Sequence, residues 1–134
     1  MPGTTFDLML ERIRYEGAYA TRQRAEETLH AVLTVLGQQL IGDERVDLAA
    51  CLPVEAALTL TAQLPTLEPC NGWGFVSNLA ALTGGSPATA RWDAGAVLAT
   101  VAELAGTNLL DRILAQLPPG YALLFGRAEL IQAA

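Results

Sequence analysis

The side chains in this chain that could perform chemistry are few, and none stands in a catalytic or metal-binding spacing. His30 is the only histidine, and neither an HExxH pattern nor a cysteine lies beside it. A general base or a metal ligand needs partners close by, so a partly exposed structural role is the preferred interpretation of His30. Cys51 and Cys70 lie 19 residues apart without a CxxC motif. This spacing favours two free thiols in a reducing compartment, while a disulfide stays open because sequence does not fix the Cα separation.

Helix capping explains the remaining polar candidates better than chemistry does. Asp43, Glu44 and Asp47 cluster where a helix is expected to begin, and their spacing is not that of a calcium loop. Ser86 lacks the Gly-x-Ser-x-Gly surroundings of a hydrolase nucleophile, and it precedes Pro87 as an N-cap would. We therefore predict no enzymatic activity, no metal ion and no cofactor.

Charge and hydropathy argue against several classes of partner. The 134 residues carry a formal net charge of −6, which disfavours nucleic acid and anionic membrane surfaces as partners. The stretch VLGQQLIGDERVDLAACL resembles a helix-turn-helix, but its acidic residues would face the DNA phosphates. The longest apolar stretch, around residues 94–102, falls far short of the ~20 residues of a membrane span. No secretory signal is visible in MPGTTFDLMLER, so we expect a cytoplasmic protein.

Apolar residues at spacings of three and four predict the helices that would position these side chains. The main apolar stripes run over residues 6–13, 25–40 and 90–105, and a shorter one comprises Phe75, Leu79 and Leu82. The expected N-caps are Thr5, Thr21, Asp43, Ser86 and Asn108. The expected helix stops are Gly17, Gly42 and Gly106.

The two halves of the chain repeat one pattern. Residues 25–60 align without a gap to residues 90–125, with nine identities in 36 positions where chance would give roughly three. Both halves place a Leu-Pro pair between their third and fourth helices, at Leu52 and Leu117, and we expect both leucines in the core. A four-helix unit of ~60 residues has difficulty burying enough apolar surface alone, so two units should share one core.

The predicted fold is therefore all-α: a helical bundle of about eight helices, built from two tandem four-helix repeats packed in one globule. Residues 1–134 form a single domain in this prediction. Repeat one covers about 5–64, a linker 65–72, repeat two about 73–126, and a short C-terminal helix 127–133.

The segments AVLTVLGQQLIGDERVDLAACLP and AVLATVAELAGTNLLDRILAQLPPGYALLF resemble the two halves of a bacterial family, domain of unknown function 2267. The second half matches the family pattern at Gln116, Leu117, Pro118, Tyr121, Leu124 and Phe125. The first half departs from it, because Cys51 replaces the glutamine and no aromatic residue follows Pro53. The resemblance implies an all-α, cytoplasmic bacterial protein, and it implies no activity and no catalytic residues.

Trp92 is the residue that packing does not explain. At 100° per residue it lies about 190° from the centre of its helix's apolar stripe, on the back of the helix. The small residues expected on that back face are Ala88, Ala96 and Ala99. A large aromatic side chain among small residues is typical of an interface anchor, although a segment of the same chain folding over it explains the pattern equally well.

The uneven charge distribution adds to this interpretation. Residues 71–134 hold seven charged side chains, against 15 in residues 1–70, which indicates a contact face in the second half. The leading hypothesis is a non-enzymatic interaction or assembly module, either a homo-oligomer or a complex with a protein partner. The alternative is a carrier or sensor of a small apolar ligand held between the two repeats.

Overall fold

The protein is described by a computed structural model that covers residues 5–127. Over this range the chain forms eight helices and no strand, which confirms the all-α prediction. They are α1 (Phe6–Gly17), α2 (Arg22–Gly37), α3 (Gly42–Cys51), α4 (Val54–Thr61), α5 (Gly72–Thr83), α6 (Pro87–Ala105), α7 (Thr107–Gln116) and α8 (Tyr121–Leu124). The helix predicted at 127–133 lies, beyond Arg127, outside the described residues. None of the eight helices is both long and apolar enough to cross a membrane.

The core forms where α2 and α6 meet the shorter helices. α6 contacts α1, α2, α3, α5, α7 and α8, while α2 contacts α1, α4, α5 and α6. The predicted stripes are buried here: Met9, Leu10 and Ile13 of α1, Ala25, Leu29, Val32, Leu33 and Leu36 of α2, and Ala90, Ala94, Val97, Leu98 and Val101 of α6. Buried residues from both halves form one cluster. Because each fully buried Leu or Val contributes about 1.5–3 kcal/mol of transfer free energy, this shared core is the main source of stability.

The Leu-Pro pairs lie at the predicted joints. Leu52 and Leu117 are both buried, between α3 and α4 and between α7 and α8 respectively. In the first half Pro53 itself occupies the N-cap position of α4. α3 and α7 each contain ten residues and begin 65 positions apart, at 42 and 107. These matching lengths favour the duplication, which stays a prediction.

Side chains of the second half hold the segment that follows α4. The Tyr121 hydroxyl donates to the carbonyl of Cys70 at 2.9 Å, and its ring meets Phe75 edge-on at 5.6 Å between centroids. Gly72 lies so close to the backbone of Gly120 that a Cβ on Gly72 would fall 2.4 Å from the Gly120 carbonyl oxygen. Only glycine fits at such an approach. The predicted linker is therefore fixed to the second Leu-Pro joint.

Arg45 of α3 binds helix ends, a role that the sequence analysis did not predict. Its guanidinium donates to the backbone carbonyls of Gly37, Leu40, Leu60, Thr61 and Gln63. The carbonyls in the last turn of a helix have no partner within the helix, and a cation there also compensates the helix dipole. One side chain therefore ties the C-terminal ends of α2 and α4 together.

The turn after α2 differs from the prediction. α2 ends at Gly37 rather than at Gly42, because the next two peptide N–H groups bond to carbonyls three residues back and close the helix. The Gln116 side chain then binds both the N–H and the carbonyl of Ile41, at 2.9 and 3.0 Å. This makes Ile41 the N-cap residue of α3. Asp43 consequently lies in the first turn of α3, and its prediction as a cap was wrong.

Two smaller predictions were also wrong. Asn108 does not cap α7, because Gly106, at a φ of +83°, turns the chain so sharply that α7 begins at Thr107. Leu82 is 53% exposed rather than part of a buried stripe. It lies in the last turn of α5, near the start of an exposed stretch that covers residues 81–89. The predicted caps Thr5, Thr21 and Ser86 are confirmed, since each side-chain oxygen accepts a hydrogen bond from a backbone N–H of its helix.

Candidate protein interface

A capping box fixes the start of the helix that carries Trp92. The Ser86 hydroxyl accepts from the backbone N–H of Thr89 at 3.1 Å, and the backbone N–H of Ser86 donates to the Thr89 hydroxyl at 3.0 Å. Pro87 occupies the first turn, where its fixed φ suits a helix and its missing N–H costs nothing. Trp92 follows one turn later on a well-defined backbone.

The indole of Trp92 is both anchored and exposed. Its Nε1–H donates to the carbonyl oxygen of Gly17 at 2.9 Å, at the end of α1. The residue nevertheless remains 59% exposed. The chain thus satisfies the polar group of the ring without covering the apolar remainder, so neither of the two sequence interpretations is complete.

Tyr19 fastens the same turn to α6. Its hydroxyl donates to Oδ1 of Asp93 at 2.6 Å, next to Trp92. Its ring lies against Gly17, where a Cβ would come within 2.1 Å of a ring carbon. Burial, and then the hydrogen bond to Asp93, raise the pKa of Tyr19 well above its usual range. The turn between α1 and α2 is therefore held at two adjacent residues of α6.

The small residues predicted beside Trp92 do not all share its exposed face. Ala88 is exposed, Ala96 is only 6% exposed, and Ala99 is half-buried. The exposed position predicted for Ala96 was wrong, because α1 and α8 both pack on α6. Arg12 fixes α1 there, since its guanidinium binds both carboxylate oxygens of Glu103 at 2.8 and 2.7 Å.

A depression of about 470 Å³ borders the indole. It is lined by Glu16, Ala88, Arg91, Trp92, Gly95 and Ala96. Arg91 is exposed and forms no ion pair with any residue between 5 and 127. Glu16 is paired with Arg12 at 3.3 Å. We call the part of this region formed by exposed Trp92, Arg91 and Ala88 and half-buried Gly95 the Trp92 surface.

A second depression, of about 590 Å³, lies between the start of α1, α2 and α4, and sequence analysis did not predict it. Phe6, Leu29 and Ala56 supply apolar side chains, while Gln23, Glu26, Glu27, His30, Glu55 and Thr59 supply polar ones. Among the described residues, Glu26 and Glu55 have no cationic partner. We call this depression the acidic groove. The sequence indicates this groove only weakly, because its α4 residues, such as Thr59, come about 30 positions after the α2 residues beside them, such as His30.

The other candidates from the sequence do not assemble into a reactive site. His30 is exposed, with its Nδ1 3.5 Å from the Thr59 hydroxyl. Glu44 and Asp47 both bind Arg112, at 3.0 and 2.7 Å. Cys51 and Cys70 are free thiols, as their spacing favours, and both are half-buried. No group of three His, Cys, Asp or Glu side chains that could hold a metal ion occurs in the described part of the chain.

Comparison with known proteins gives a family and no activity. The model of a family described as "Uncharacterized conserved protein (DUF2267)" matches residues 6–124. No curated protein matches the chain. The match includes α1 through α8, and therefore both the Trp92 surface and the acidic groove.

Proposed function

The chain belongs to the DUF2267 family of uncharacterized conserved proteins, and from that premise we propose that it is a non-enzymatic, self-associating interaction module that binds through the Trp92 surface. Tryptophan and arginine are the residues most often found to dominate binding energy at interfaces, and both are exposed here on one turn of α6. The proposal gives the exposed indole a partner outside its own chain.

The observation that carries the proposal is the hydrogen bond from the Trp92 indole to the Gly17 carbonyl. It holds the ring in one orientation while 59% of the residue stays exposed. A side chain that is already fixed loses little conformational entropy when it binds, so more of its contact energy appears as affinity. An exposed aromatic without such an anchor would gain less from the same contacts.

The charge pattern supports an interaction role over catalysis or nucleic-acid binding. The net charge of −6 disfavours a nucleic acid partner. Several of the charged side chains are taken up by ion pairs between helices, such as Arg12 with Glu103 and Arg112 with Asp47. As part of the same proposal, we place the protein in a bacterial cytoplasm, where free Cys51 and Cys70 would stay reduced.

A carrier of a small apolar ligand between the repeats has less support. The depression where α2 faces α5 and α6 measures about 250 Å³. Its lining is largely polar and includes Arg24, Glu27, Thr28, Thr83, Thr89 and Asp93. Ligand pockets for apolar molecules are lined mainly by hydrophobic side chains, so this depression suits such a ligand poorly.

Replacing Trp92 by a charged residue tests the proposal. We expect Trp92→Glu to sediment as one chain at concentrations where the unchanged protein sediments as an oligomer, because a carboxylate cannot be desolvated in the contact. The helical circular dichroism should not change. Trp73→Glu is the matched control, since Trp73 is 68% exposed near the start of α5, where an acidic residue suits the helix dipole.

Two results would contradict the proposal. If the unchanged protein is a single chain up to its solubility limit, self-association does not occur. If Trp92→Glu instead lowers the melting temperature while its mass equals that of the unchanged protein, the indole serves only to hold the turn after α1.

A further inference from the structure

We infer that the partner of the Trp92 surface is the acidic groove of a second copy of this chain. This inference rests on the proposed function and specifies its contact. It differs from a symmetrical contact in which two Trp92 residues face each other, because the two surfaces that meet are different. Position, charge and shape each point to this pairing.

The two surfaces occupy equivalent positions in the aligned halves. Five residues of α2 line the acidic groove, residues 23, 26, 27 and 30 together with Leu29, and five residues of α6 line the Trp92 depression, residues 88, 91, 92 and 95 together with Ala96. The first four of each set correspond. Each second number exceeds the first by 65, which is the offset of the sequence alignment. The same helix face therefore carries Glu26, Glu27 and His30 in one half and Arg91, Trp92 and Gly95 in the other.

The charges of the two surfaces are complementary. Arg91 has no acidic partner in residues 5–127, and in the same range Glu26 and Glu55 have no basic partner. Glu27 has a basic partner, Arg24 on the same turn of α2, but this ion pair is long, at 3.7 Å. A second copy would bring a free guanidinium to free carboxylates, which fixes the orientation of the contact and speeds the encounter.

The shapes also agree. The acidic groove, at about 590 Å³, has the volume of an ordinary ligand cleft, so it has room for an indole together with the side chains beside it. Half-buried Phe6, with Leu29 and Ala56 behind it, provides apolar surface for an indole. Glu26 and Glu55 are exposed, so a guanidinium beside the indole would reach them. An anchor in an apolar pocket, surrounded by polar contacts that exclude water, is the usual arrangement of an interface hot spot.

A contact between two different surfaces can form either a closed assembly or an open-ended one. Two chains can form a closed dimer with two reciprocal contacts, or successive chains can add head to tail into a ring or filament. Both arrangements require that every chain contribute one Trp92 surface and one acidic groove. A chain that lacks either surface can therefore still supply the other.

Mixing two defective variants tests this directly. Trp92→Glu removes the anchor and leaves the groove, while a chain with Glu26→Arg and Glu55→Arg reverses the rim and leaves the anchor. We expect each variant alone to sediment as one chain, with a dissociation constant at least about tenfold higher than that of the unchanged protein. An equimolar mixture should contain a species of two chains, one of each variant. Glu68→Arg is the control for charge, since Glu68 is exposed and lies outside the groove.

A charge-swapped chain provides a second test for the case in which the complex in the mixture dissociates too easily to be detected. Adding Arg91→Glu to the chain with Glu26→Arg and Glu55→Arg should bring the dissociation constant back to within about threefold of the original, because both surfaces change sign together. If the groove variant assembles like the unchanged protein, the inference is overturned while the proposed function stands. If neither the mixture nor the charge-swapped chain assembles, the inference is likewise overturned. If the unchanged protein itself is a single chain, the proposed function fails first.

Discussion

At the scale of single residues, the side chains that match the family pattern are structural. Tyr121 is buried, packs edge-on against Phe75 and donates its hydroxyl to the Cys70 carbonyl. The Gln116 side chain binds both the backbone N–H and the backbone carbonyl of Ile41. Both side chains therefore join segments that are distant in the sequence. The functional candidate, Trp92, is not one of these residues.

We predict that alkaline pH unfolds the protein through two tyrosines, Tyr121, which is buried, and Tyr19, which is half-buried. Burial comes first, and then the hydrogen bond from the Tyr19 hydroxyl to Asp93 and the one between the Tyr121 hydroxyl and the Cys70 thiol; together they raise both pKa values above the ordinary 10.0. The fold thus favours the neutral phenols, so their contribution to stability is complete below about pH 10 and is lost as the pH rises above it. Urea unfolding at a series of pH values measures this loss.

Single variants separate the tyrosines from other groups. Tyr121→Phe should lower the free energy of unfolding at neutral pH by about 1 kcal/mol, since the Cys70 carbonyl loses its donor, and it should make the alkaline decline shallower. Tyr15→Phe is the control, because Tyr15 is 81% exposed. An alkaline decline that is equally steep in all three proteins would contradict the account.

At the scale of helices, local periodicity predicted which residues are buried, while the start of α3 depends on a distant contact. The stripes of α1, α2 and α6 follow from spacings of three and four, which the sequence displays directly. The boundary between α2 and α3 could not be predicted, because the Gln116 side chain that holds Ile41 comes 75 positions later. Arg45 was missed for a similar reason, since the carbonyls that it binds at the end of α4 and just after it come 15 to 18 positions later.

Removing Arg45 should loosen two helix ends at once. We expect Arg45→Leu to lower the free energy of unfolding by about 1.5–3 kcal/mol, because the carbonyls at the ends of α2 and α4 lose a charged donor. Thermal or urea unfolding measures the change. Arg24→Leu is the control, because its ion pair with Glu27 is exposed and spans 3.7 Å, and such pairs contribute under about 1 kcal/mol. Equal stability of the two variants would show that the helix ends do not depend on Arg45.

At the scale of the whole molecule, the two halves share a core and differ in surface. Charge is sparse after residue 70, and the side chains on equivalent turns of α2 and α6 are acidic in one half and basic and aromatic in the other. Helical periodicity predicted that Trp92 lies opposite the core, and it left open whether a segment of the same chain covers the indole. It could not predict the acidic groove, whose walls come from three helices that only folding brings together. It also could not predict that α1 and α8 cover part of the face of α6 that carries Ala96.

The central claim is that Trp92 lies in a contact between chains, and its own fluorescence tests this most directly. The chain has two tryptophans, so Trp73→Phe leaves Trp92 as the only one. We predict that this variant emits at a shorter wavelength when concentrated, and that its maximum moves to longer wavelength on dilution as the partner dissociates and the indole becomes solvated. The shift should follow the same concentration dependence as sedimentation. An emission maximum that stays constant from the most dilute to the most concentrated sample would contradict the claim.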